Sequence, residues 1–431
     1  MLHSNLSVNE KGHLCIANTD TVTLAKEYGT PLMVLDEERI RENMRKYIRA
    51  MKEHFGESAL PFYASKAFSC KYLYRLAKEE GMGVDLVSVG ELYTAKSAGF
   101  DLKYSCFHGN NKTDYDIYYA IENGIGHIVV DDLSELDKID EIASQMNKVL
   151  SVILRLSPGI DPHTFAAVNT GSVDCKFGIA IETNQAEQAL IYALTKKNIV
   201  IDGIHAHIGS QIFDIEPFCD EAKIMISFLS DMKKKYGFDC KILNFGGGFG
   251  VKYIESQPEI DVEGFISKIA EYVKKEVKSS GINTPTIYME PGRSIVADTC
   301  LTLYTVGGTK VIPGFKNYVS VDGGMSDNPR YALYGSEYTV CMASRMNDTP
   351  NFVCAVAGRC CESGDLIQEN VALPSPNRGD ILAVLVTGAY NYSMASNYNR
   401  IPRPAVVSIT KNGVTPVIRR ESLDDLIKND I

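Results

Sequence analysis

Residues 60–69, LPFYASKAFS, set a lysine, Lys66, directly behind a short apolar run that reads as a buried strand. A buried ammonium is costly to desolvate, so a lysine at a strand end either reaches back to water along its aliphatic stem or is placed there for chemistry. Seven more β-rich runs follow: GMGVDLVS, KYSCFH, GHIVVDD, SVILRLSPG, IDGIHAHIGS, KILNFGGG and TIYMEPGR. Longer charged, helix-like stretches such as CKYLYRLAKEEG separate them, and this alternation signals repeated β/α units. Eight units over about 235 residues fit a (β/α)8 barrel, typically of about 250 residues, with a doubly wound open sheet as the rival. The polar residues Lys66, His108, Arg155, His207, the glycines at 246–248, and Glu290 with Arg293 all fall at or just past strand C-termini. In a barrel those ends meet on one rim, where active sites are built.

Beyond residue 300 the texture changes to strands joined by turns: LTLYTVGG, KNYVSVDGG, NFVCAVAG, DILAVLVTG, PAVVSIT and TPVIRR. With no long amphipathic helix between them, they predict a β-domain, a sandwich or partly closed barrel. The N-terminal run HLCIA is expected to pair with it. The expected division is 1–35 as an N-terminal segment packing with the β-domain, 36–294 as the barrel and 295–431 as the C-terminal β-domain.

The 431 residues exceed what one small core organises, and 45% apolar content is ordinary for a globular protein. A formal charge of −10 supplies no sequence-wide cationic field for nucleic acid or an anionic membrane. The first residues, MLHSNLSVNEKGHLC, hold no apolar run fit for a signal peptide, and no segment nears the roughly 18 residues that span a bilayer. The chain reads as cytoplasmic. Eleven cysteines without a C-x-x-C pair fit neither a disulfide scaffold nor a zinc ribbon, so most are expected to be small buried residues.

Three stretches carry the chemistry. NFGGGFG (244–250) lets backbone N–H groups approach an anion without an intervening Cβ; its spacing fits neither a dinucleotide fingerprint nor a P-loop, and a plain tight turn is the bland alternative. MEPGRS (289–294) ends the eighth strand with Glu290 expected to face the barrel mouth and Arg293 a ligand anion, against a surface ion pair. IHAHIGS (204–210) puts His205 and His207 on one face of the sixth strand. An H-x-H pair is a metal-ligand type, but no histidine follows His207, so no metal is expected. The alternatives are stacking on an aromatic cofactor or, for His205, a satisfied core position. A lysine, an anion cradle, a stackable imidazole and an inward carboxylate together answer the needs of pyridoxal 5'-phosphate.

With YASKA, HIGSQI, GGGFG and EPGRS in this order, nearly the whole chain resembles the barrel-type pyridoxal phosphate decarboxylases of basic amino acids. DGGMSDNPRYALYG (322–335), CCESGD (360–365) and GAYNYSMASNYN (388–399) narrow the resemblance to the diaminopimelate decarboxylases. It implies that Lys66 carries the cofactor aldimine and that His207 stacks on its ring. Ser210, Gly247, Gly248 and Tyr390 match phosphate-contacting positions, and Glu290 the partner of the pyridine nitrogen. Arg293, Arg330 and Tyr334 match positions that grip the distal carboxylate of the substrate, with Tyr390 also in the substrate set, and Glu362 takes the distal ammonium. Cys361 matches a catalytic cysteine delivered by the partner subunit of a homodimer, and the G-x-x-C-E-S-G-D spacing from Gly358 selects it over Cys360.

The implied activity is that of a carboxy-lyase taking meso-2,6-diaminopimelate to L-lysine and carbon dioxide, the last step of lysine biosynthesis, through the Lys66 aldimine and a quinonoid. A diamino diacid offers a distal carboxylate, which two arginines suit and a plain diamine would not. The rivals are a decarboxylase of another amine, such as D-lysine, D-ornithine or carboxynorspermidine, and a catalytically silent cofactor carrier or regulator.

Overall fold

The computed structural model describes residues 2–161 and 174–431. All eight expected barrel strands are present: Leu60–Ala64, Gly83–Leu86, Ser105–Phe107, His127–Val130, Leu150–Ser157, Ile199–His205, Ile242–Asn244 and Thr286–Met289. Each pairs in parallel with the next, and the eighth returns to the first through Tyr288 opposite Leu60. That closure excludes the open sheet. A two-residue strand, Ile179–Ala180, pairs in parallel with the end of the fifth, opposite Leu156 and Ser157.

The helices between strands start where the sequence supplies caps. Thr113 and Asp116 form a reciprocal capping box on Asp114–Glu122, while Asp132 caps Leu133–Gln145 and Asp261 caps Val262–Ser280. Caps of this kind are each worth about 1 kcal/mol.

Inside the ring, the period-two alternation of strands builds the site. Phe62, Cys106, Val129, Ile153 and Ile242 form one buried cluster with Leu60 and Tyr288 packed on it. The second strand contributes no bulk there: a Cβ on Gly83 would stand 2.5 Å from the Phe62 ring. Two residues further along the strands, about 6–7 Å closer to the rim, the inward positions become Asp85, His108, Asp131, Arg155, Asn244 and Glu290, all buried. His205 joins this layer through its bond to Glu290. The interior therefore passes from apolar to charged in one pleat.

The chain divides into two units, one of residues 43–250 and 260–292, the other of residues 1–42, 251–259 and 293–431. The second is organised on the long strand Cys300–Val311. Its first half pairs with Leu32–Asp36 and Ile381–Leu385, and its second half with Asn317–Val321. Val340–Cys341, which pairs with Ile381–Leu385, and Phe352–Ala357, Leu366–Leu373, Ala405–Thr410 and Gly413–Ile418 complete the nine-stranded sheet. The N-terminal strand taken into it is Leu32–Asp36, not HLCIA. All five residues of the former are buried, whereas Leu14–Ile16 sits in a separate three-stranded sheet with Leu6–Val8 and Thr19–Asp20. Leu366–Leu373 was not anticipated, because Gln368, Glu369 and Asn370 interrupt its apolar pattern; Gln368 is nonetheless buried and accepts from the Tyr338 N–H at 2.8 Å.

Among the described residues no helix is long and apolar enough to cross a membrane. All eleven cysteines are free and eight are buried, which agrees with their reading as core residues.

Candidate active site

Glu290 is the electrostatic centre of the barrel rim. Its Oε1 accepts from His108 Nε2 at 2.8 Å and Asn244 Nδ2 at 2.7 Å, and its Oε2 from His205 Nε2 at 3.1 Å. Burial alone would raise its pKa, but the charges and hydrogen bonds of the two imidazoles outweigh it and hold the carboxyl well below its usual range. Burial pushes His205 down to about 4, so its ring is neutral at pH 7 with the proton on Nε2 and a bare, unpartnered Nδ1. These three side chains are also close enough to hold a metal ion. Hydrogen bonds to both Glu290 oxygens account for their convergence without one.

Lys66 lies on the 3-10 turn Ser65–Ala67 between two buried residues, while its own side chain is 41% exposed and its Nζ stands 3.6 Å from Asp85 Oδ2. A lysine at this strand end therefore serves both readings: the amine reaches a wet rim, and it does so over a carboxylate. Both Asp85 oxygens are buried without a hydrogen-bond partner, and burial raises the Asp85 pKa against the pull of His108 and Lys66.

The glycine triplet packs three loops together. With Gly246 at φ 61° and Gly248 at φ 121°, an L side chain would be strained at either position. A Cβ at 246 would meet the Ala206 oxygen at 2.7 Å, one at 248 the Gly209 oxygen at 2.5 Å, and one at 247 would overlap the Glu290 carbonyl oxygen. The loops after strands six, seven and eight approach so closely only because these positions lack Cβ. The Gly247 N–H donates to His207 Nδ1 at 3.2 Å, which leaves the ring proton on Nε2. Burial, then the positive charges of Lys66 and Arg155, hold the His207 pKa well below its ordinary value. Ser210 closes the neighbouring HIGS loop.

This rim fits pyridoxal 5'-phosphate on its own geometry. It offers an amine, a locked anion for a ring nitrogen, a neutral imidazole, and a Gly248 N–H with no protein acceptor among the described residues.

The remaining predicted residues lie in the second unit. The Arg293 guanidinium is buried, 4.9 Å from the Tyr390 ring centroid, and Arg330 lies 5.3 Å from the same ring and 5.1 Å from that of Tyr334. Tyr390 adopts φ 64°, a sparsely populated conformation for a non-glycine residue that fixes its ring between the two cations. Cys361 and Glu362 are exposed on another turn, and among the described residues no hydrogen bond, ion pair or ring contact links them to Arg293, Arg330 or Tyr390. Asp365 anchors that turn: its carboxylate accepts from Met325 N at 2.6 Å and Cys360 N at 2.7 Å. A Cβ at Gly324 would stand 2.5 Å from both Asp365 oxygens and one at Gly358 would overlap them, which explains Gly324 in DGGM and Gly358 in GRCCESGD.

Sequence reading gave no role to Asp85, Asn244 or Asp365, and left His108 and Arg155 on the rim without partners. A signal for the barrel residues was present: each is two positions beyond an inward apolar residue or glycine. Asp365 is visible only as the last residue of the CCESGD motif, since its partners are backbone groups 40 and 5 residues away.

Comparison with known proteins agrees. Residues 39–297 match the pyridoxal-dependent decarboxylase, pyridoxal binding domain family. The chain is 45% identical to the diaminopimelate decarboxylase of Halalkalibacterium halodurans, over 100% of this chain and 98% of that one, and 43% identical to that of Bacillus subtilis with the same coverage. The crystal structure of the M. jannaschii diaminopimelate decarboxylase in complex with L-lysine superposes with a TM-score of 0.92 at 33% identity, covering 100% of this chain and 98% of that chain. The chain belongs to the pyridoxal-dependent decarboxylases, as a member of their diaminopimelate decarboxylase family.

Proposed function

We propose that this protein is a pyridoxal phosphate-dependent carboxy-lyase that converts meso-2,6-diaminopimelate to L-lysine and carbon dioxide, a cytoplasmic step that ends lysine biosynthesis. The observation that carries the substrate assignment is Arg330. The residue is 7% exposed, its Nε has no hydrogen-bond partner, and its NH1 reaches only the Met394 sulfur at 4.0 Å. Among the described residues it forms no ion pair with a carboxylate. An unpaired buried cation costs several kcal/mol, and an anionic group of the ligand offsets that cost. A diacid has a second carboxylate to supply.

Lys66 would hold the cofactor covalently, His207 would face its ring, Glu290 would accept from its ring nitrogen, and Ser210, Gly247, Gly248 and Tyr390 would hold its phosphate. When bound, pyridoxal phosphate supplies the electron sink that makes loss of the substrate carboxylate feasible. Glu290 keeps a fixed negative charge where a ring proton must stay, because three donors lock it before substrate arrives. Arg293, Arg330, Tyr334 and Tyr390 select the distal carboxylate and Glu362 the distal ammonium. After carbon dioxide leaves, the Cys361 thiol or the Lys66 ammonium delivers a proton to the carbon that bore the lost carboxylate. Cys361 suits this proton transfer better than Cys360 because it is the exposed thiol, whereas burial and the Asp365 charge raise the pKa of Cys360. Cys361 and Glu362 are contributed to the site of a second copy in a homodimer.

Arg330→Gln tests the assignment. The expected result is a loss of roughly 10²-fold or more in kcat/KM for meso-diaminopimelate, with the absorbance of the bound cofactor unchanged. Wild-type kcat/KM in that variant would remove the basis for the diacid reading.

A further inference from the structure

Tyr253 stands in the nine-residue excursion, residues 251–259, that follows the glycine loop and belongs to the β-unit. It is 4% exposed and fixed on several sides. Its N–H donates to Gln257 Oε1 at 2.7 Å, its carbonyl accepts from Thr339 Oγ1 at 2.8 Å, and its ring meets the Tyr338 ring edge-on at 5.5 Å and 78°. The Tyr338 hydroxyl in turn donates to Asn391 Oδ1 at 3.2 Å, beside Tyr390. From this framework the Tyr253 hydroxyl accepts from Arg293 NH1 at 2.9 Å, with the guanidinium carbon 5.8 Å from the Tyr253 ring centroid.

The chemistry of this partner matters. A carboxylate in the place of Tyr253 would neutralise Arg293 and occupy the planar fork that recognises anions. A phenol orients the fork through a neutral hydrogen bond that does not itself cancel the positive charge. Arg330 is treated alike: the groups facing it are the Tyr334 and Tyr390 rings and the Met394 sulfur. The phenol that meets Arg293 and the groups that face Arg330 are thus neutral.

We propose that Tyr253 is a specificity-determining positioning residue, which holds the Arg293 fork in register with the distal carboxylate and so favours diacids and their amino acid products over plain diamines. The inference rests on the distal-carboxylate reading given above. Its action is on binding, through Arg293, and not on the bond-breaking step.

The test compares two ligands of the holoenzyme, L-lysine, which keeps the distal carboxylate, and cadaverine, the same diamine without it. Tyr253→Phe retains the ring packing and removes the hydroxyl. Calorimetry is expected to give about 10-fold weaker L-lysine binding and less than about 2-fold change for cadaverine, with KM for meso-diaminopimelate raised far more than kcat is lowered. In an Arg293→Lys background the same substitution is expected to add less than about 2-fold, since the group it positions has been replaced. Equal weakening of both ligands, or an undiminished effect in the Arg293→Lys background, would assign Tyr253 to packing alone and overturn the proposal. Equal affinity of the unsubstituted enzyme for the two ligands would overturn the distal-carboxylate reading itself, and the proposal with it, before any variant is made.

Discussion

Replacing His205 by leucine removes one titratable donor from the centre of the barrel, and its effect follows from two quantities. Glu290 Oε2 loses its hydrogen bond at 3.1 Å, while Oε1 keeps those from His108 and Asn244. A hydrogen bond to a charged buried group is worth about 1.5–3 kcal/mol, so the variant is expected to be less stable by that amount at pH 8. The second quantity is the His205 pKa, lowered by burial from 6.5 to about 4. Between those values the unfolded chain binds more protons at this residue than the folded one. Its contribution is fully present above pH 6.5 and is lost as the pH falls toward 4. The whole window is worth about 3 kcal/mol, of which about 2 kcal/mol is gone by pH 5. Leucine has no such loss. The deficit of His205→Leu at pH 8 is therefore expected to shrink to near zero at pH 5. Urea unfolding of the cofactor-free protein at the two pH values, followed by circular dichroism since the chain has no tryptophan, measures it. A deficit that is the same at both pH values would refute a neutral, desolvated His205.

Glu221 offers a stability gain of the opposite sign in pH. It is fully buried, neither carboxylate oxygen has a hydrogen-bond partner, and burial raises its pKa well above 4.5. Its stability contribution falls as the pH rises from 4.5 through the folded value, so Glu221→Met is expected to stabilise by about 1–3 kcal/mol at pH 8 and by less at pH 5; a melting temperature unchanged at pH 8 would contradict this. Gly247→Ala forces a methyl group against the Glu290 carbonyl. Overpacking of about 1–3 kcal/mol predicts 10- to 100-fold weaker pyridoxal phosphate binding by absorbance titration, and undiminished affinity would mean that the glycine loop is not part of the cofactor site.

The barrel is legible because its strands are short, apolar and regularly spaced, and because inward residues repeat every second position. Lys66, His207 and Glu290 stand out as polar residues at the ends of such runs. Asp85 and Asn244 are harder to see, since each sits inside a run that still reads as strand, and only the parallel pairing of neighbouring strands places them beside Lys66 and Glu290. Leu366–Leu373 fails the alternation test because Gln368 is buried for its hydrogen bond and not for its apolarity. Tyr253 gives no local signal at all. Its role depends on a segment that departs from the barrel sequence and contacts Arg293, 40 residues further on.

The most direct test of the central claim is carbon dioxide release by the pyridoxal phosphate-loaded protein, offered meso-diaminopimelate, D- and L-lysine, D- and L-ornithine and carboxynorspermidine one at a time, with the product identified by chromatography. Release from meso-diaminopimelate with formation of L-lysine, and little from the substrates that lack a distal carboxylate, is the predicted result. Preferential release from one of those substrates, or none from meso-diaminopimelate, would contradict it.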